Sequence, residues 1–182
     1  MNHQNPSIII ALDYPEAASA WQLLAQLDAT LCRVKIGKEM FTRLGPDFVR
    51  QVIDKGFEVF LDLKYHDIPN TVAAACDAAA DLGVWMLNVH ASGGRKMMET
   101  AMQRLSQHRQ SPYLVAVTIL TSLDKTEVSA IGYVGSPQDN VMRLAALAAD
   151  SGLDGIVCSP REAAIVRAQQ KADFLLVTPG VR

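Results

Sequence analysis

No apolar run in the 182-residue sequence approaches the roughly 20 residues that a membrane-spanning helix needs, so no membrane partner is expected. Clustered basic residues are also lacking. The 17 Lys and Arg are balanced by 19 Asp and Glu, for a formal net charge of −2, and this argues against an extended surface for a nucleic-acid polymer. The amino terminus, MNHQNPSIIIALD, has no basic n-region, and Asp13 interrupts its short apolar stretch, so it does not read as a signal peptide. Cysteine is scarce: Cys32, Cys76 and Cys158 are odd in number, far apart and without metal-ligand spacing. Cys76 lies in an Ala-rich helical run and Cys158 in an apolar strand, so both read as small buried hydrophobes. A cytoplasmic protein of one domain, spanning residues 1–182, is expected.

What is present is a rhythm of short β-branched runs alternating with helical stretches. The strand candidates are 7–13, 31–37, 58–64, 85–91, 113–121, 155–159 and 174–180. Ala17, Ala20, Trp21, Leu24 and Leu27 share one helical face that Pro15 can open, and Phe48, Val49, Val52 and Ile53 repeat the pattern after Pro46, with Gly56 as the stop. Ser159-Pro160-Arg161-Glu162 reads as a capping box, and Ser136-Pro137 opens the preceding helix in the same way. Alternating strands and helices imply parallel pairing. A dinucleotide-binding sheet should carry GxGxxG after its first strand, but that strand ends in Leu12-Asp13-Tyr14-Pro15. A barrel instead predicts polar residues at many strand ends. Asp13, Lys35, Lys64, His90, Thr121, Ser159 and Thr178 fit that prediction. The expected fold is therefore α/β, a (β/α)8 TIM barrel with seven of its eight strands present. From the usual barrel length of roughly 250 residues, about 50–70 further residues with the last strand and helix are expected in the natural protein.

Side chains alternate along a strand, so Val59, Leu61 and Leu63 share one face while Asp62 and Lys64 share the other. Likewise Val34 and Ile36 face outward, and Arg33 and Lys35 inward. Isolated charges inside a barrel cost several kcal/mol each, and they become tolerable when opposite signs alternate and a polar ligand fills the mouth. Spacing alone leaves two readings open, a structural ion pair and a ligand site.

The segment Asp62-x-Lys64-x-x-Asp67-Ile68-Pro69-Asn70-Thr71 resembles the active-site motif of the orotidine 5′-phosphate decarboxylases. Matching segments follow in order: Ala11-Leu12-Asp13, Lys35-Ile36-Gly37, Asn88-Val89-His90-Ala91, Leu120-Thr121-Ser122, and Val177-Thr178-Pro179-Gly180-Val181-Arg182. The likeness spans the whole chain and fits the bacterial branch. It implies conversion of orotidine 5′-phosphate to UMP in pyrimidine biosynthesis without a cofactor, with no metal. Lys35, Asp62, Lys64 and Asp67 would form an alternating charge array, and Lys64 would protonate carbon 6. Asp13 and Lys35 would bind ribose hydroxyls, Thr121 with Ser122 beside it the base, and Arg182 the phosphate. Pro179 would wall the base, and Asn70 would join the substrate-binding set. Asp67 and Thr71 would reach into the site of a neighbouring subunit, making a homodimer. The family's further strand, with a Gly-Arg pair that completes the phosphate site, has no counterpart in the sequence.

Two rival functions share parts of this pattern. A magnesium-dependent sugar-phosphate decarboxylase or aldolase of the same superfamily would use an acidic pair, with Glu39 as a candidate ligand. A non-catalytic nucleotide-binding paralogue would not need the intact charges. Several weaker signals have plain structural readings. His90 is expected to be a hydrogen-bonded structural residue. His66 and Asp67 have no GxSxG elbow beside them to make a hydrolase dyad. Gly93-Gly94-Arg95-Lys96 reads as a strand-to-helix turn, Met97, Met98 and Met102 as helix packing, and Arg104, His108 and Arg109 as a solvated helix end.

Overall fold

Seven β-branched runs become seven short parallel strands. The computed structural model describes residues 6–181, with β1 (Ile9–Ala11), β2 (Arg33–Gly37), β3 (Val59–Tyr65), β4 (Met86–His90), β5 (Tyr113–Val117), β6 (Gly155–Val157) and β7 (Leu175–Val177). Each strand bonds to its neighbour in chain order, β1 through β7. A doubly wound sheet would reverse its order partway; this one does not. It curls as seven staves of a (β/α) barrel, with β1 and β7 as its edges among the described residues.

The intervening helices are α1 (Ala17–Leu24), α2 (Lys38–Asp54), α3 (Pro69–Asp81), α4 (Arg95–Leu105), α5 (Lys125–Ala130), α6 (Pro137–Asp150) and α7 (Ala163–Gln169). Strand alternation sorts the apolar residues into two sets. Val34, Ile36, Val59, Leu61, Leu87, Val89, Leu114 and Ala116 are fully buried towards the helices. Phe60, Met86 and Val115 cluster with Ile9, Val157, Leu175 and Val177 on the inner side. Burial on both faces is the normal state of a parallel sheet. Arg33 lies at the start of β2, where its guanidinium stacks 3.9 Å over the Trp85 ring and pairs with Glu58 at 2.7 Å. The expected inner residue Arg33 thus sits at the amino-terminal end of its strand, while Lys35 approaches the opposite mouth.

Local boundaries differ from expectation in instructive ways. Helix α1 begins two residues after Pro15 and ends before Leu27, which still packs against the core. Helix α2 starts at Lys38, well ahead of Pro46. Gly45 breaks it with φ 66° and ψ −168°, and Pro46 then opens the second half. The Ser136 box forms as expected, with Asp139 as its reciprocal partner. The Ser159 box forms only in part. Glu162 accepts from the Ser159 N–H at 2.8 Å, but the Ser159 hydroxyl takes the Arg161 N–H two residues on. That is a serine turn rather than a cap, so α7 starts at Ala163. The end carrying Arg104, His108 and Arg109 is not simply solvated either. His108 Nε2 lies 2.7 Å from Asp77, and Arg104 lies 3.7 Å from the same carboxylate, tying α4 to the Ala-rich α3. All three cysteines are buried and unpaired, and burial pushes the Cys76 thiol up to about 12 and Cys158 up to about 11.

One glycine is required by close packing of strands rather than by its torsion. A Cβ on Gly155 would lie 2.2 Å from the carbonyl oxygen of Leu175, its partner across β6 and β7. Gly155→Ala should therefore destabilise the fold by about 1–3 kcal/mol, the usual cost of overpacking. Urea denaturation checks this, and an unchanged midpoint would contradict the required proximity of β6 and β7.

Candidate active site

The carboxyl ends of β1 to β3 converge on a small polar cavity of about 210 Å³, lined among others by Asp13, Lys35, Asp62 and Lys64. Four charges alternate along it. Asp13 Oδ1 is 3.1 Å from Lys35 Nζ, Lys35 Nζ is 3.5 Å from Asp62 Oδ2, and Asp62 Oδ1 is 2.6 Å from Lys64 Nζ. The Asp62 side chain retains 12% of its exposure and the two lysines 20% and 24%. The array is thus half-shielded at a mouth rather than sealed in a core. Burial opposes ionisation of Asp62, but hydrogen bonds from Lys64 and Asn88 and the charges of Lys64 and Lys35 outweigh it, leaving its carboxyl below the ordinary aspartate value.

Alternation holds along β3, with Leu63 and Tyr65 packed on the outer core and Asp62 and Lys64 together at the cavity as expected, but it does not account for the Lys64 backbone. Leu61 pairs with Leu87 and Tyr65 with Val89, so four steps along β3 span two along β4. Within that bulge Lys64 adopts φ 52°, a left-handed conformation found at no other described non-glycine residue. Such backbone costs on the order of 1–3 kcal/mol and persists only where the surroundings enforce it. Asn88 on β4 supplies the enforcement. Its Oδ1 accepts the Lys64 backbone N–H at 2.8 Å, and its Nδ2 donates to Asp62 Oδ1 at 2.7 Å. The amide orientation follows from chemistry, since an N–H needs the oxygen and a carboxylate needs the nitrogen. Asn88 is 1% exposed. Its polar side chain within the otherwise apolar run WMLNV was the available sequence signal, because a buried amide must find partners.

The other expected site residues are dispersed. Asp67 is exposed and its carboxylate accepts the Ile68 N–H at 2.6 Å; among the described residues it has no hydrogen bond or ion pair to Lys35, Asp62 or Lys64. Asn70 and Thr71 lie exposed on the first turn of α3. Thr121 lines a separate cavity of about 410 Å³ with Ser136, Ser159 and Arg161. Pro179 is exposed, and Arg182 lies outside the described residues. Glu39, the candidate metal ligand, is the exception: it also lines the cavity of the charge array, and it pairs with Arg43 at 3.1 Å.

His90 departs from its expected hydrogen-bonded role. Among the described residues its ring has no hydrogen bond, and it lies 5.5 Å from the His66 ring. Burial, then the charges of His66, Lys38 and Lys64, hold its pKa below the ordinary histidine value against the opposing pull of Asp62. It therefore borders the charge array. A larger open cavity of about 950 Å³, lined by Trp21, Gln51, Asp54, Lys55 and Phe57 among others, lies away from these groups. No helix among the described residues is long and apolar enough to cross a membrane.

Because folding lowers the Asp62 pKa, its contribution to stability is complete above the unfolded value and is lost as pH falls through the folded one. Asp62→Asn should consequently flatten the stability profile below about pH 4, the ordinary aspartate range, relative to the native chain. Urea midpoints across that range measure the difference, and parallel profiles would contradict the assignment.

Residues 6–182 match the family described as Orotidine 5′-phosphate decarboxylase / HUMPS family. The orotidine 5′-phosphate decarboxylase of Nitrosococcus oceani is 57% identical over 175 residues, covering 96% of this chain and 75% of the relative. That of Halorhodospira halophila is 58% identical over 177 residues, covering 97% and 75%. The crystal structure of orotidine 5′-phosphate decarboxylase from Lactobacillus acidophilus superposes with a TM-score of 0.91 at 36% identity, covering 98% of this chain and 82% of that one. On that match and these identities, the chain belongs to the orotidine 5′-phosphate decarboxylase / HUMPS family.

Proposed function

We propose that this chain decarboxylates orotidine 5′-phosphate to UMP, with Lys64 as proton donor. The observation that carries the reading is the unbroken alternation Asp13–Lys35–Asp62–Lys64 at the barrel mouth. Decarboxylation breaks the bond between carbon 6 and the carboxylate, releases carbon dioxide and leaves the electron pair on carbon 6. That pair occupies an sp² orbital outside the ring π system, so the ring cannot delocalise it. Fixed charge must stabilise it instead. An ammonium about 4 Å away contributes roughly 4 kcal/mol at the effective dielectric near 20 suited to a half-shielded site. The same ammonium transfers its proton to carbon 6, and the resulting amine is reprotonated from solvent. Asp62 aims Lys64 and opposes the substrate carboxylate.

Around that centre, Asp13 and Lys35 bind ribose hydroxyls, Thr121 meets the base, and Asn70 and Arg182 complete substrate binding. No cofactor or metal is needed for the step. Asp67 and Thr71 are exposed on either side of the start of α3, and among the described residues neither is hydrogen-bonded or ion-paired to the array, which supports their service to the site of a second subunit in a homodimer. The setting is the cytoplasm, with neither membrane nor nucleic-acid polymer as partner.

Loss of orotidylate absorbance, undiminished by a chelator, is the expected behaviour. Chelator-sensitive turnover of a sugar phosphate instead would support the metal-dependent branch, and UMP binding without turnover would support a non-catalytic protein. Lys64→Ala should lower kcat by about 1,000-fold or more, since ~4 kcal/mol of barrier is nearly three decades of rate. UMP binding should remain measurable by calorimetry. Substantial residual turnover would show that another group donates the proton.

A further inference from the structure

We infer that Asn88 is a positioning residue for decarboxylation, setting Lys64 and Asp62 through one amide that holds the backbone of the first and the carboxylate of the second. The inference deepens the proposed reaction and rests on it for its kinetic consequence. Asn88 has two jobs that no other described side chain shares. The Lys64 N–H, displaced from the ladder by the bulge, donates to Asn88 Oδ1 at 2.8 Å. The carboxylate oxygen of Asp62 that receives Asn88 Nδ2 at 2.7 Å is the same Oδ1 that pairs with Lys64 Nζ at 2.6 Å. Backbone and ammonium of Lys64 are therefore fixed from one strand, across β3 and β4, by a closed ring of contacts: Asn88, Lys64 main chain, Lys64 side chain, Asp62, and back to Asn88.

An apolar residue of similar volume keeps the packing and removes both contacts. The bulge then loses the partner of its displaced N–H, and Asp62 Oδ1 loses one of its two donors. A buried group left unpaired in this way shifts or recruits water, and a displacement near 1 Å at a reacting group lowers rate on the order of 100-fold. Asn88 is not itself among the residues lining the cavity that contains Asp13, Lys35, Asp62 and Lys64, so substrate affinity should suffer much less than turnover.

Asn88→Leu and Asn88→Asp, both on the full chain, test this. Asn88→Leu should reduce kcat on the order of 100-fold with little change in KM, and it should raise the Asp62 pKa read by carboxyl ¹³C titration without substrate. Asn88→Asp keeps the acceptor for Lys64 but loses the donor to Asp62 until the new carboxyl is protonated. Its kcat relative to the native chain should therefore rise as pH falls, a profile that a purely structural role would not produce. If Asn88→Leu does not fold, the pH profile of Asn88→Asp carries the test. Native kcat in Asn88→Leu, an unmoved Asp62 titration, or a pH-independent ratio for Asn88→Asp would overturn the inference. A native chain that fails to consume orotidylate would instead refute the proposed reaction, while the Asp62 titration would still report on the positioning contact.

Discussion

The carboxylate of Asp62 is the constraint around which the site is arranged. It is largely buried, it lies between two ammonium groups, and it accepts from a buried amide as well. Placing an anion there alone would be costly, and placing either lysine there alone would be too. Together they form a chain in which each charge is compensated by its neighbour, ending at the exposed Asp13. The fold serves this by delivering three adjacent strand ends to one point, and the parallel order β1-β2-β3 does so without any long connecting loop.

The barrel was legible because parallel strands leave a strong trace: β-branched runs of regular spacing, each followed by helical periodicity. All seven strand candidates correspond to strands, shortened mostly at their ends. The shortening has a cause. Asp13, Thr121, Ser159 and Thr178 were counted in strands, yet they lie beyond the last ladder pairs, and the first three leave the sheet to line cavities. The first half of α2 was not legible, because Gly45-Pro46 reads as a boundary, whereas the chain uses it as a break between two helical stretches. Asp62 and Lys35 followed from a period of two. So did Lys64, but the bulge that shapes its backbone, and the amide on another strand that holds it, are invisible to that period.

Segment 62–71 does three jobs within ten residues, which explains why its motif is so dense. Asp62 and Lys64 furnish charge. The extended Ile68 leads into Pro69 at the first turn of α3, a position where a missing N–H costs nothing. On either side of it, Asp67, Asn70 and Thr71 are exposed. The following Ala-rich stretch allows α3 to approach α4 closely, and the Asp77 carboxylate bridging to His108 and Arg104 locks that approach. The orientation of α3, and with it the direction in which Asp67 and Thr71 are offered, is thus anchored by charges well outside the cavity.

Lysine is a poor choice for a left-handed position within a strand. Glycine would adopt it without strain, and asparagine at less cost. A residue whose backbone preference opposes its place is retained only where its side chain is indispensable there, and the strain must be held by something stiff. A loop could not hold it, since loops relax. Asn88 can, because it projects from a central strand bonded on both sides and is itself enclosed by the core. The rigidity of β4 is thereby passed to an ammonium on β3 through a single amide, and the site owes its geometry to a strand that contributes no charge to it.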